Sequence, residues 1–179
     1  MDLARPTEEQ LRDLEQACAP ATFGRNQEDV LDETYRKAGK MDNTDFCVTY
    51  TPPDDILGLV RDELYEESEC QLRYELYKLN VYGECFDDST IYFCAHDSFF
   101  KPHKDTPRES NFTGTLVVVF PALHEGGQLV FSSGKNEWTV DAASEIHQGD
   151  TPHVVYVAFY GDVTHKVRRV TSGHRVTLT

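Results

Sequence analysis

HVVYVAFYGDVTHKVRRVTSGHRVTLT, residues 153–179, contains two strand-like runs that decide the fold class. Val, Tyr, Phe and Thr dominate both runs, 153–160 and 174–179, as they do in β-strands. Shorter runs of the same character precede them, with turn residues between them: TIYFCA (90–95), GTLVVVF (114–120), GQLVFSS (127–133) and EWTVDA (137–142). Short β-branched strands with regular turns predict an antiparallel sandwich or barrel.

The strand pattern begins near residue 71, where Leu72, Tyr74 and Leu76 alternate with polar residues. The alternation continues on shifted parity through Leu79 and Val81, which indicates a bulge.

Helical patterns precede this point. Three helices are expected: one after the capping box Thr7-Glu8-Glu9-Gln10, one from Asn26 through Ala38, and one after Thr51 with an apolar stripe. We therefore predict a mainly β protein with N-terminal helices, folded as a single domain over residues 1–179. In this arrangement 1–70 is a helical support region and 71–179 forms the β core. The final residues, RVTLT, still have strand character. We therefore expect that the natural protein could continue beyond residue 179.

Charge is distributed unevenly along the chain. The net charge is −14, and the first 100 residues carry 23 acidic and 9 basic side chains, whereas the remainder carries 8 of each. An acidic surface repels phosphate backbones, which argues against nucleic acid as a partner. The basic residues of the second half could still attract a small anion or an acidic peptide.

Cysteine usage and hydropathy indicate the compartment. Five cysteines, an odd number without a C-x-x-C pair, favour reduced thiols. The polar N-terminus lacks the apolar segment of a signal peptide, and no apolar run reaches membrane-spanning length. A cytoplasmic or nuclear protein without a membrane partner is expected.

FFKPHKDTPR, residues 99–108, is the first stretch with candidate chemistry. His103 and Asp105 are two residues apart, so in a strand both side chains point to one face. Two histidines and one carboxylate are the ligand set of non-heme Fe(II) oxygenases, but an isolated H-x-D often occurs by chance. His165 is a candidate third ligand. Arg175 and Thr177, which share one strand face, suit a carboxylate because a guanidinium pairs with it through two hydrogen bonds.

HKD at 103–105 together with His165 and Arg175 resembles the H-x-D…H…R pattern of 2-oxoglutarate/Fe(II)-dependent dioxygenases. The closer resemblance is to the prolyl 4-hydroxylase-like branch. It includes FFKPHKD, a LHEGGQLVF hairpin (123–131) and FYGDVTHKVRRVTSGHRVTL, and covers roughly residues 72–179.

The resemblance implies a double-stranded β-helix, or jelly-roll barrel, with the helices packed on one outer sheet. It also implies that the catalytic residues His103, Asp105 and His165 bind Fe(II). Arg175, helped by Thr177, would pair with the distal carboxylate of 2-oxoglutarate, and Tyr82 would lie near this co-substrate. The implied reaction consumes O2, decarboxylates 2-oxoglutarate to succinate and CO2, and hydroxylates a C–H bond of a peptidyl, prolyl-like substrate. Ascorbate is a candidate reductant.

Three alternatives stay open at this stage. The same fold could act on a small metabolite, could serve as a catalytically silent metal-binding or sensing barrel, or could be a cupin-like enzyme using another metal. The segment 83–98 is longer than the turn that the family leads us to expect, and it is a candidate lid with Tyr92 at the entrance. Lys101, Lys104 and Arg108 form either a solvated rim or a substrate-steering patch. The oligomeric state and the substrate are not determined by the sequence.

The remaining histidines and the tryptophan are interpreted as structural. His124 is expected in a hairpin loop and not as a fourth ligand, and His174 should point away from the pocket because its strand parity is opposite to that of Arg175. Trp138 is expected in the core. Surface or capping positions are expected for the other three histidines: His96, His147 and His153.

Overall fold

The computed structural model describes residues 1–25, 28–65, 71–83, 98–107, 111–146 and 151–179. Within them lie three helices: α1 (Glu8–Ala17), α2 (Asp54–Leu64) and α3 (Ala142–Ile146). α1 begins at the predicted capping box, in which the Gln10 backbone N–H donates to Thr7 Oγ1 at 3.2 Å and the Thr7 N–H donates to Gln10 Oε1 at 3.0 Å. α2 confirms the helix that was predicted after Thr51.

Fourteen strands lie in the described part of the chain. They are β1 (Ala19–Pro20), β2 (Phe23–Arg25), β3 (Glu28–Val30), β4 (Arg36–Lys37), β5 (Gly39–Asp42), β6 (Lys78–Gly83), β7 (Phe99–His103), β8 (Gly114–Val119), β9 (His124–Gly126), β10 (Leu129–Ser133), β11 (Asn136–Val140), β12 (Val155–Tyr160), β13 (Thr164–Val167) and β14 (Val170–Leu178).

These strands form two large antiparallel sheets and a small hairpin. A seven-stranded sheet has the order β1-β5-β6-β14-β8-β12, with β9 also paired to β14. A five-stranded sheet has the order β11-β10-β13-β7-β4, and β2 pairs with β3. β8 and β14 are sequence-distant neighbours, as are β7 and β13, so the sheets depend on long-range pairing.

The sheets pack face to face over a shared core. Side chains from both sheets, including Tyr82, Val119, Phe100 and Phe131, form one buried cluster. Because side chains alternate along a strand, the other face of the seven-stranded sheet carries a second cluster, in which Leu11 of α1 packs against this face. α1 therefore covers one outer sheet, as expected.

The predicted helix from Asn26 through Ala38 is wrong. Residues 28–30 form β3, and Arg36 and Lys37 form β4, whose partners are Phe100 and Phe99 on β7. Thus the first 70 residues contribute strands to both sheets. The strand expected from Leu72 is also wrong in extent, because β6 begins only at Lys78.

The segment LHEGGQLVF is not a hairpin. β9 pairs with β14, whereas β10 pairs with β11 and β13, so the two glycines carry the chain from one sheet to the other. Gly126 and Gly127 have φ angles of +76° and +67°, a backbone region that favours glycine.

Trp138 does not lie in the core. It is 48% exposed and its ring stacks on Phe131, because β11 forms the edge of the five-stranded sheet.

Candidate metal centre

Strands β7 and β13 bring two of the candidate ligands together. They pair antiparallel with His103 directly opposite His165. Asp105 follows two residues after the end of β7, on the same side as His103. One ligand atom from each of the three residues lies within 4.8 Å of the others, and His165 Nε2 is 3.7 Å from Asp105 Oδ1.

A hydrogen bond at Nδ1 of each histidine fixes the orientation of its ring, so that Nε2 faces the other candidate ligands. His103 Nδ1 lies 2.8 Å from the Lys101 carbonyl oxygen, and His165 Nδ1 lies 3.0 Å from that of Val163. A carbonyl only accepts, so both Nδ1 atoms carry the proton and both Nε2 atoms keep a lone pair.

The carboxylate is oriented by a hydroxyl. Thr115 Oγ1 donates to Asp105 Oδ2 at 2.5 Å, which leaves Oδ1 facing His165. Two imidazole nitrogens and one carboxylate oxygen within 4.8 Å of one another suit a divalent ion such as Fe(II).

Aromatic rings enclose the cluster. Phe100 stacks on His103 with ring centroids 3.4 Å apart, and Phe159 lies 4.6 Å from His165. Burial, followed by the electrostatic influence of the neighbouring His165 ring and of Arg36, lowers the pKa of His103 to about 3. The imidazole is therefore neutral near pH 7, the state in which it binds a metal.

Arg175 lies on β14 inside the protein, opposite Tyr82 of β6. It is 2% exposed, and its Cζ lies 5.4 Å from the centroid of the Tyr82 ring. Burial lowers the pKa of Arg175 below its usual range. Its Nε has no hydrogen-bond partner, and no carboxylate of the described residues pairs with it. Thr177 is buried on the same face, opposite Asn80.

Arg36 is the buried residue that sequence reasoning missed. It is 7% exposed, and it donates to Asn80 Oδ1 at 2.7 Å and to the carbonyl oxygen of Thr22 at 2.6 Å. No local pattern could have identified it, since β4 has only two residues and its position depends on pairing with β7.

Three other histidines lie in the described part of the chain, and two of them lie as predicted. His174 pairs with Glu15 of α1 at 3.0 Å on the outer face, and His153 is exposed, both as expected. His124 is buried at the start of β9 and not in a loop.

The structure describes only part of the predicted rim and entrance of the site. Lys101 and Lys104 are exposed beside the cluster, which agrees with a rim. Four residues with predicted roles lie outside the described residues, together with most of the 83–98 segment: Tyr92, His96, Arg108 and His147.

A cavity of about 730 Å³ lies between α2, residues 71–77 and strands β8 and β12. Thr115 and Phe159 contribute to its lining, and each also contacts a member of the candidate metal centre.

Two solved structures are similar to this chain, and the first of them shares its fold. A Pseudomonas putida prolyl-4-hydroxylase matches with a TM-score of 0.51 and 19% sequence identity, covering 99% of this chain and 84% of that one. An oxidoreductase of the 2OG-Fe(II) oxygenase family from Burkholderia pseudomallei matches with a TM-score of 0.42 and 16% identity, covering 95% and 76% of the two chains. No protein-family model and no curated protein matches the sequence. Among the described residues, no helix has the length and apolar character needed to cross a membrane.

Proposed function

We propose that this protein is an Fe(II)- and 2-oxoglutarate-dependent dioxygenase that hydroxylates a C–H bond and releases succinate and CO2. The observation that carries the proposal is the convergence of His103, Asp105 and His165, each with its free donor atom directed at one point. Arg175 adds a buried cation to the same interior.

The fold supports this proposal. Two antiparallel sheets packed face to face agree with a double-stranded β-helix, and the P. putida prolyl-4-hydroxylase shares the fold of this chain. His103 and His165 belong to the five-stranded sheet, and Thr115 of the seven-stranded sheet donates to Asp105, so the candidate ligands lie between the two sheets.

Fe(II), when bound, would supply the oxidative chemistry with O2 and 2-oxoglutarate. The chain's own residues would bind the metal ion and orient its ligands. The backbone carbonyls of Lys101 and Val163 hold the two imidazoles in one tautomer, and Thr115 holds the carboxylate. Phe100 and Phe159 cover the rings of His103 and His165, respectively.

The co-substrate would occupy the space in front of Arg175. Its guanidinium would pair with the distal carboxylate of 2-oxoglutarate, with the Thr177 hydroxyl and the Tyr82 ring beside it. Among the described residues no carboxylate pairs with this guanidinium, so an anionic ligand would balance its charge.

For the substrate we propose a peptidyl, prolyl-like group, with a small metabolite as the alternative. The support is that the Pseudomonas putida protein with the same fold is a prolyl-4-hydroxylase.

Anaerobic reconstitution with Fe(II), followed by O2, 2-oxoglutarate and ascorbate, tests the proposal through succinate formation. Proline-containing peptides and small metabolites are added in separate reactions. We expect succinate from the wild type and from His153→Ala, whose side chain is exposed, and at least a hundredfold less from His103→Ala. Wild-type protein that binds Fe(II) but forms no succinate with any substrate would instead be a silent metal-binding barrel.

A further inference from the structure

Arg36 is a second buried guanidinium, to which the proposed function assigns no role. Its two hydrogen-bond acceptors, the Thr22 carbonyl and the Asn80 amide oxygen, are both neutral. Nε has no hydrogen-bond partner, and no carboxylate in the described part of the chain pairs with the side chain. Because a buried cation without a counter-charge is costly, this arrangement points to an anion that binds from solution.

The guanidinium lies between the two sheets, close to the candidate metal centre. Arg36 is on β4 of the five-stranded sheet, and its side chain reaches Asn80 on β6 of the seven-stranded sheet. Its Cζ is 4.5 Å from the centroid of the Phe100 ring, and the same ring stacks on His103. One aromatic side chain therefore contacts both the guanidinium and a candidate ligand.

The side chains of Arg36 and Arg175 contact neighbouring inward-facing residues of one strand, β6. Asn80 and Tyr82 are two residues apart on β6, so they share a face. Arg36 donates to the first, and Arg175 lies over the ring of the second. The interior thus carries two cationic groups side by side.

Further along β6 the charges are already balanced by the protein and by solvent. Lys78 and Lys40 both pair with Asp42, at 3.6 Å and 3.0 Å, and the Asp42 side chain is 42% exposed. On the described part of β6, Lys78 thus has a protein carboxylate as its partner, unlike the two guanidiniums.

The count of charges leaves one cation unmatched. Under the proposed function, a divalent metal ion and a doubly charged 2-oxoglutarate cancel each other. Asp105 offsets one of the two guanidiniums. Among the described residues one positive charge remains in this buried site, and a single carboxylate would balance it.

We infer that Arg36, positioned by Asn80 and the Thr22 carbonyl, forms an anion subsite that holds a carboxylate of the primary substrate. Nε–H has no partner, and a carboxylate would pair with it and with one further N–H in the two-bond geometry that guanidinium pairs favour. Arg36 is thereby a specificity-determining residue, and the substrate is a carboxylate-bearing molecule. The inference rests on the proposed function for the identity of the other ligands.

The test compares acids with their matched amides on protein loaded with Mn(II), with and without 2-oxoglutarate, by isothermal titration calorimetry. The first pair, N-acetylproline and N-acetylprolinamide, tests whether the site recognises a free α-carboxylate. The second pair, a proline peptide containing glutamate and the same peptide with glutamine, tests whether it recognises an acidic side chain. We expect the wild type to bind the acid of at least one pair ten times more tightly than its amide.

Two variants separate anion binding from a structural role. Arg36→Met removes the charge, and Asn80→Asp supplies an internal carboxylate 2.7 Å from the guanidinium in place of the amide oxygen. Both should reduce the acid preference below twofold, while the dissociation constant of 2-oxoglutarate changes by less than threefold. Asn80→Asp should keep or raise the melting temperature, because a link between the sheets would be retained. Asn136→Asp, at the exposed start of β11, is the matched control and should keep the preference.

Three outcomes would overturn the inference: equal affinity of the wild type for acid and amide in both pairs, an acid preference that persists in both variants, or a loss of 2-oxoglutarate affinity in Arg36→Met. Failure of the proposed function has a different signature. In that case 2-oxoglutarate does not bind the wild type, yet the titrations without it still report whether Arg36 selects a carboxylate.

Discussion

Replacing Thr115 by valine tests whether the hydroxyl behind Asp105 is part of a metal site. The substitution keeps the shape of a β-branched side chain on β8 and removes the donor to Asp105 Oδ2 at 2.5 Å. Without it, one carboxylate oxygen loses its partner and the other loses its fixed direction toward His165.

The size of the effect follows from the strength and exposure of this bond. Hydrogen bonds to charged groups contribute about 1.5–3 kcal/mol, and partial exposure places this one at the lower end because water replaces part of the interaction. The Asp105 side chain is 27% exposed. A loss near 1.4 kcal/mol corresponds to about tenfold in affinity, the lower limit of the roughly 10- to 100-fold range for removing partners of metal ligands.

Calorimetric titration with Mn(II) measures this change directly. We expect the dissociation constant to rise about tenfold in Thr115→Val, by the estimate above. Thr164→Val is the matched control, since Thr164 precedes His165 on β13, points to the opposite face, and its hydroxyl bonds to none of the described residues. An unchanged constant in Thr115→Val, or an equal rise in the control, would refute a role for the hydroxyl in orienting a ligand.

Three further predictions concern other parts of the molecule. Gly127→Ala would place a Cβ 2.7 Å from Arg175 Cδ at a φ of +67°, so the KM for 2-oxoglutarate should rise while Mn(II) affinity stays constant; a parallel loss of metal would contradict this. Thr7→Ala removes the cap of α1 and should lower the free energy of unfolding by about 1 kcal/mol in urea titration, with metal affinity unaffected. Burial raises the pKa of Cys18 to about 12, so its thiol is protonated at pH 8, and mass mapping should find iodoacetamide on exposed Cys47 well before Cys18; the reverse order would be inconsistent with the buried site.

Local hydrogen bonding explains which elements could be predicted from the sequence. The cap of α1 joins Thr7 to Gln10, three residues away, so the chemistry that starts the helix is contained in a short stretch. Strand parity is equally local. It placed Arg175 on the inner face and His174 on the outer face, where His174 meets Glu15.

Long-range pairing explains what the sequence could not predict. Residues 26–38 have a helical apolar pattern, yet Arg36 joins a sheet because its backbone finds a partner at Phe100. Trp138 has core-like chemistry, but its strand forms a sheet edge and leaves the ring half exposed. Neither the strand that pairs with Arg36 nor the edge position of the strand that carries Trp138 can be read from the few residues around each of them.

The sequence by itself determined the donor types and the face on which each one lies, since the direction of a side chain alternates with a period of two along any strand. The tertiary structure alone decided that His165 lies opposite His103 and that Arg36 reaches Asn80 across the interior. These contacts span 62 and 44 residues of chain, respectively, as the residue numbers show. Which strands become neighbours depends on the burial of the whole core against the entropy of closing such loops, a balance that no short segment contains.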